Sequence, residues 1–230
     1  MNTKTLEGKL ELACKIAKSY FDRGMGSGTT GNLSFMHDGK IYITASGTCF
    51  GFLTPEDFAV VPYPAQAGTG AADAGSKNAS AADAGSKNVS AADAGVGKKP
   101  SKELPLHEMV YDKLLAAGQK EGAVIHTHST YAVLWSCVPG LDPKNCVPEN
   151  TPYLKMQLGA CGIISYEKPG SKELFDAFRR ESGDLNGWIL SHHGPIVGGK
   201  DLMQAFGRSE ELEESCKVAW MLRQAGLGAM

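Results

Sequence analysis

The amino-acid sequence predicts a layered α/β fold, with a sheet in the middle and helices outside. Three observations carry this: apolar residues at helical spacing near both ends of the chain, short strand-like apolar runs between them, and Gly or Asp-Gly breaks separating the two patterns. The first helical period covers residues 5–23, with Leu6, Leu10, Leu12, Ala13, Ile16, Ala17 and Tyr20 on one side and a stop near Gly24. NLSFMHDGKIYIT, at 32–44, reads as a hairpin turning at Asp38-Gly39, and PEDFAVVPY, at 55–63, as a further strand after a turn. Farther along, LHEMVYDKLLAAG predicts a helix ending at Gly118, and GAVIHTHS a buried strand that carries His126 and His128. Helices are expected over TYAVLWSCV (130–138), SKELFDAFRRES (171–182) and the long segment 201–226. Strands are expected at CGIISYE, NGWILSHH and PIVGG. The order of strands in the sheet does not follow from these patterns.

One domain spanning 1–230 is the expectation at this length, interrupted at about 66–98 by a tandem ten-residue repeat. AADAGSKNAS at 71–80 is followed by AADAGSKNVS and a degraded third copy, AADAGVGKK. The repeat holds too few large apolar side chains to bury a surface, and Gly75, Gly85 and Gly95 interrupt any helix once per copy. A flexible surface insertion is expected there.

With a net charge of −2 and a pI near 6.3, the chain has no overall basic field to hold nucleic acid or an anionic membrane. No stretch reaches the roughly 18–20 apolar residues that span a bilayer. The Lys-studded start has no apolar core of a secretory signal. The six cysteines form no C-x-x-C pair and read as reduced, so a cytoplasmic address is expected. Any anionic substrate must be held by a local site.

The histidines are more informative. His37 and His107 stand alone, while His126 and His128 form H-T-H and His192 and His193 form S-H-H-G. Residues at i and i+2 of a strand share a face, so the first pair can bring two imidazoles to one metal ion. A third histidine from the distant turn completes a three-His set with one coordination position left open. Gly194-Pro195 fixes a tight turn directly after His193, which favours it over His192. In PSKELPLH, Ser101 stands at an expected helix entrance, where it can cap the helix or bind a phosphate oxygen; the residues alone leave both open. RGMGSGTTGNLSF (23–35) and TASGTCFG (44–51) are equally compatible with anion-holding loops and with plain turns. Neither is a P-loop or a dinucleotide fingerprint.

Taken in order, G-N-L-S (31–34), T-A-S-G (44–47), P-S-K-E (100–103), H-T-H-S (126–129) and S-H-H-G (191–194) resemble the class II aldolase/adducin family over nearly the whole chain outside the repeat. The resemblance implies a three-layer α/β/α fold with a central, largely antiparallel mixed sheet, assembled as a homotetramer with active sites at subunit interfaces. It also implies one divalent metal ion per subunit, Zn2+ first with Mn2+ or Co2+ as alternatives, held by His126, His128 and His193. Glu103 would be the proton-moving carboxylate and a possible fourth ligand. Asn32, Ser46, Gly47, Ser101 and Lys102 would surround a substrate phosphate, and Tyr153 would act on a hydroxyl across the subunit boundary.

The implied activity is that of a metal-dependent lyase on a small phosphorylated sugar or sugar acid, working through a metal-stabilised enediolate. P-S-K-E, S-G-T-C-x-G, H-S-T-Y, S-C-x-x-G-L-D-P (136–143), T-P-Y and E-E-L-E-E look most like the 3-oxo-tetronate 4-phosphate decarboxylases, with fuculose-phosphate-type aldolases next. Two alternatives remain. A ribulose-5-phosphate 4-epimerase-like isomerase usually has Ser and Asp where this chain has Lys102 and Glu103. A non-catalytic module like the adducin head lacks the metal-binding residues that are present here.

Overall fold

The structure, a computed structural model, describes residues 2–63 and 97–227. The repeat at 66–98 lies outside the described residues, apart from its last two positions. Helix α1 (Leu6–Asp22) starts where the Thr5 hydroxyl accepts from Gly8 N, and buries the apolar side read from the sequence. Strands β1 (Asn32–His37) and β2 (Lys40–Thr44) form the expected hairpin. Asp38 and Gly39 both take left-handed backbone, at φ 47° and 70°, as a two-residue turn of this hand requires.

Strand β3 (Phe58–Pro62) is shorter than expected. Residues 55–57 form a 3-10 turn because Thr54 and Asp57 cap each other reciprocally around Pro55. Then follow α2 (Leu104–Ala116), β4 (Ala123–His126), α3 (Thr130–Ser136), α4 (Tyr153–Gln157), β5 (Gly162–Ile164), α5 (Lys172–Glu181), β6 (Gly187–Leu190), β7 (Gly194–Gly199) and α6 (Leu202–Gln224). Side-chain caps start two of these helices: the Ser171 hydroxyl accepts from Leu174 N at α5, and the Asp201 carboxylate from Gln204 N at α6. The short helix α4 was not expected from the sequence.

The seven strands among the described residues form one sheet in the order β3-β2-β1-β4-β7-β6-β5, antiparallel throughout except for the parallel pair β5 and β6. Alternation along each strand divides the core in two. Leu33, Phe35, Ala123, Ile125, Ile189 and Val197 pack with α1, α3 and α6. Met36, Val124, Trp188, Leu190 and Ile196 pack with α2 and α5. The expected three-layer α/β/α architecture with a largely antiparallel mixed sheet is thus observed. By the same parity, Asn32, Ser34 and His126 belong to the α2 face of the sheet, and three polar side chains there are set toward the start of α2.

Candidate metal centre and active site

His126 is the last residue of β4, paired in register with Asn32 of β1 and Ile196 of β7. The ladder ends there, so His128 is not on a strand as the i, i+2 argument assumed. The chain leaves β4 to begin α3 at Thr130, yet the two imidazoles still meet, their Nε2 atoms 3.1 Å apart. His193 closes the tight turn between β6 and β7, its N–H donating to Leu190 O. Its Nε2 lies 3.3 Å from that of His126.

The turn sorts the two adjacent histidines. His192 takes left-handed backbone (φ 56°), its N–H donates to the Ser136 hydroxyl, and its ring lies beside the Cys137 thiol, away from the cluster. Gly194 permits the close approach: a Cβ there would stand 2.2 Å from Thr127 O and 3.1 Å from His128 Cα. The S-H-H-G spacing therefore fixes which histidine joins the cluster.

Glu103 reaches the same point from the N-cap position of α2, with Oε2 3.4 Å from His126 Nε2 and Oε1 3.3 Å from His193 Nε2. Helix α2 starts at Leu104, so Ser101 is not its N-cap; the Ser101 hydroxyl instead accepts from Glu103 N at 3.3 Å. Asn32 Nδ2 donates to Glu103 Oε2 at 2.8 Å.

Three imidazoles and a carboxylate are a zinc-type donor set, and their spacing fits one ion. Bonds of about 2.0–2.1 Å in a tetrahedron put nitrogens roughly 3.3 Å apart, against the 3.1 and 3.3 Å found. His126 Nδ1–H donates to Pro195 O at 2.8 Å, which fixes the tautomer and leaves the Nε2 lone pair facing the cluster. Burial pushes the pKa of His126 and of His193 down to about 3, each reinforced by a neighbouring imidazole, and burial lowers His128 as well. All three are neutral at pH 7, the form that binds metal.

The cluster opens into a pocket of about 370 Å³ lined by Asn32, Ser46, Gly47, Ser101, Lys102, Glu103, His128 and His193. Of the ten residues singled out in the sequence, only Tyr153 and the deeper His126 are not on this wall. Tyr153 is 58% exposed in the first turn of α4. The structure adds Thr29, Thr48, Pro169 and Gly170 to the wall. The two threonines belong to the Gly-rich stretches already noted, whereas nothing in the local sequence pointed to the Pro169-Gly170 loop before α5. Sequence reading also left out His107, which is fully buried behind Asn32. Its spacing from Glu103, four residues on one helix face, is the signal that was available.

The chain belongs to the family described as class II aldolase and adducin N-terminal domain, whose model matches residues 11–220. A 3-oxo-tetronate 4-phosphate decarboxylase of Escherichia coli K12 is 32% identical over 209 residues, covering 90% of this chain and 84% of that one. An L-fuculose phosphate aldolase of Methanocaldococcus jannaschii is 28% identical over 204 residues, with 89% and 91% covered. The crystal structure of Escherichia coli YgbL, an aldolase/epimerase/decarboxylase candidate, matches with a TM-score of 0.74 and 31% identity, over 94% of this chain and 90% of that one.

Proposed function

We propose that this chain is a divalent-metal-dependent lyase that breaks a carbon–carbon bond in a small phosphorylated sugar acid by decarboxylation, its substrate resembling a 3-oxo-tetronate 4-phosphate. The carrying observation is the convergence of His126, His128, His193 and Glu103 on one point, in a pocket that also presents Ser101, Lys102, Ser46 and Gly47. The relative that is 32% identical and named for that decarboxylation supports the choice of reaction. Retro-aldol cleavage of an L-fuculose 1-phosphate-like substrate is the second reading, favoured by the aldolase relatives.

His126, His128 and His193 would hold the ion, zinc before manganese or cobalt, with Glu103 as a possible fourth ligand. A bound divalent cation supplies positive charge beside a ketone and its neighbouring hydroxyl, where a departing CO₂ leaves an electron pair. Glu103, having taken up a proton from water, would then deliver it to that carbon. Its Oε1 serves, since Oε2 is engaged by Asn32. Lys102 and Ser101, with Ser46 and Gly47, bind the phosphate, and no ion pair engages Lys102 among the described residues. Tyr153 would serve a neighbouring subunit of a homotetramer, a role supported by its exposure together with that of Met156 (76%) on the same helix. The single-domain reading of 1–230 and a cytoplasmic location belong to the same proposal. The free state of all six cysteines supports that location.

The deciding experiment incubates metal-loaded protein with a 3-oxo-tetronate 4-phosphate, fuculose 1-phosphate and ribulose 5-phosphate, and measures CO₂, aldehyde and epimer separately. CO₂ from the first is expected. Aldehyde alone would move the chain to the aldolases, epimer alone would overturn the lyase reading, and failure to bind any divalent metal would leave an adducin-like binding module.

A further inference from the structure

We propose that His107 is a positioning residue for this site: it locks the Asn32 amide so that Nδ2 holds Glu103 Oε2 and Oε1 is left to exchange the substrate proton. The inference rests on Glu103 being the proton-moving carboxylate. Behind that carboxylate runs a chain of buried side chains. Asn32 Nδ2 lies 2.8 Å from Glu103 Oε2, Asn32 Oδ1 2.5 Å from His107 Nε2, His107 Nδ1 2.7 Å from Ser34 Oγ, and Ser34 Oγ 2.6 Å from Tyr111 OH. None of the five residues is more than 8% exposed.

The roles in this chain follow from its end. A carboxylate only accepts, so the Asn32 NH₂ group must face it and Oδ1 must face away. Oδ1 in turn only accepts, so His107 carries its proton on Nε2. Nδ1 is then an acceptor, Ser34 donates to it, and Tyr111 donates to Ser34. Each hydrogen bond points toward Glu103, and each polarises the next. Burial pushes the His107 pKa down to about 3, so the ring is neutral and holds a single tautomer.

The chain orients without conducting, because an amide has no proton to pass from imidazole to carboxylate. Nor is it needed to fill space. Glu103, His107 and Tyr111 follow at four-residue steps down one side of α2, among Leu106, Val110 and Leu114, and an apolar stripe would pack this interface at less desolvation cost. Placing an amide donor on one oxygen of Glu103 accounts for keeping it polar.

The test uses the full chain loaded with zinc. Nitrogen-15 NMR of wild-type protein should show His107 protonated on Nε2 and bare on Nδ1; an Nδ1–H tautomer overturns the inference whatever the substrate proves to be. With the substrate that wild type turns over, His107→Phe should keep zinc stoichiometry and KM within about threefold. It should lose about 10- to 100-fold in kcat, the scale of a misplaced catalytic group. His107→Gln, whose Nε2 can still donate to Asn32, should return to within about fivefold of wild type. Phe and Gln variants equally slow, or a Phe variant as fast as wild type, would reduce His107 to packing. Should the Phe variant not fold, Ser34→Ala decides, because it strips His107 Nδ1 of its donor while Asn32 still holds Nε2–H: a lower kcat with KM and zinc stoichiometry unchanged supports the inference, and wild-type kcat overturns it. A wild type inert toward every substrate would refute the proposed function while the tautomer still reports on this one.

Discussion

Gly194→Ala isolates the contact that brings the two histidine-bearing segments together. The new Cβ would stand 2.2 Å from Thr127 O, at a backbone φ of 149° that side chains rarely adopt. Relief to the 3.0 Å that real Cβ atoms respect requires the segments to part by about 0.8 Å. They are not free to do so cheaply, because Thr127 N donates to Pro195 O across the same gap at 3.2 Å. Backbone strain of about 1–3 kcal/mol and overpacking of similar size suggest a loss of roughly 2–6 kcal/mol. The metal should suffer more selectively, since ligand distances tolerate only about 0.2 Å. Urea unfolding of metal-free protein measures the first effect, and zinc titration with a competing chelator the second. A variant with native stability and native zinc affinity would refute the close approach at the heart of the site.

The other predictions follow from single contacts. The buried Glu213 carboxylate accepts from Tyr131 N and Ala132 N at 2.9 Å each, so Glu213→Leu should lower stability by roughly 2–5 kcal/mol in a denaturant titration, and Glu213→Gln by less. His107, with its pKa held near 3 against an ordinary 6.5, refuses a proton that the unfolded chain takes up below pH 6.5. Its contribution to the stability of metal-free protein should therefore shrink as pH falls from 6.5 toward 3, by roughly 1.4 kcal/mol per pH unit. His107→Gln should show a correspondingly flatter acid dependence by circular dichroism. Lys102→Met should raise KM roughly tenfold with zinc content unchanged; steady-state kinetics showing unchanged KM and kcat would remove Lys102 from substrate binding.

Helices and strands were legible in the sequence wherever an apolar period ran long enough, as in α1, α6 and the Asp38-Gly39 hairpin. Strand order was not, because β4 inserts between β1 and β7 through contacts far apart in the chain, and no local pattern encodes them. Helix α4 escaped notice for a related reason: five residues cannot show a period, and its packing against α6 stabilises it. In the site, the H-T-H and S-H-H-G spacings located the cluster although β4 stops at His126, because the Nε2 atoms of His126 and His128 still converge beyond the ladder. His107 was passed over because a lone histidine carries no meaning until the strand facing it is known.

The same distinction bears on how one fold can serve several reactions. His126 and His193 are fixed by strand ends and a three-residue turn, and Glu103 by the start of α2 with Asn32 behind it. In the proposed function these parts would set the electron sink and the proton carrier, which decarboxylation and retro-aldol cleavage share. Much of the rest of the wall comes from residues 29–30, 45–48 and 169–170 and from the exposed Lys102, which lie outside the strand ends, turn and helix start that set the spacing of the histidines. Exchanging residues in those loops can therefore change which bond lies over the cluster without loosening it. The choice between the two lyase reactions is to be sought there, at Thr29, Thr48 and the Pro169-Gly170 turn, before it is sought among the ligands.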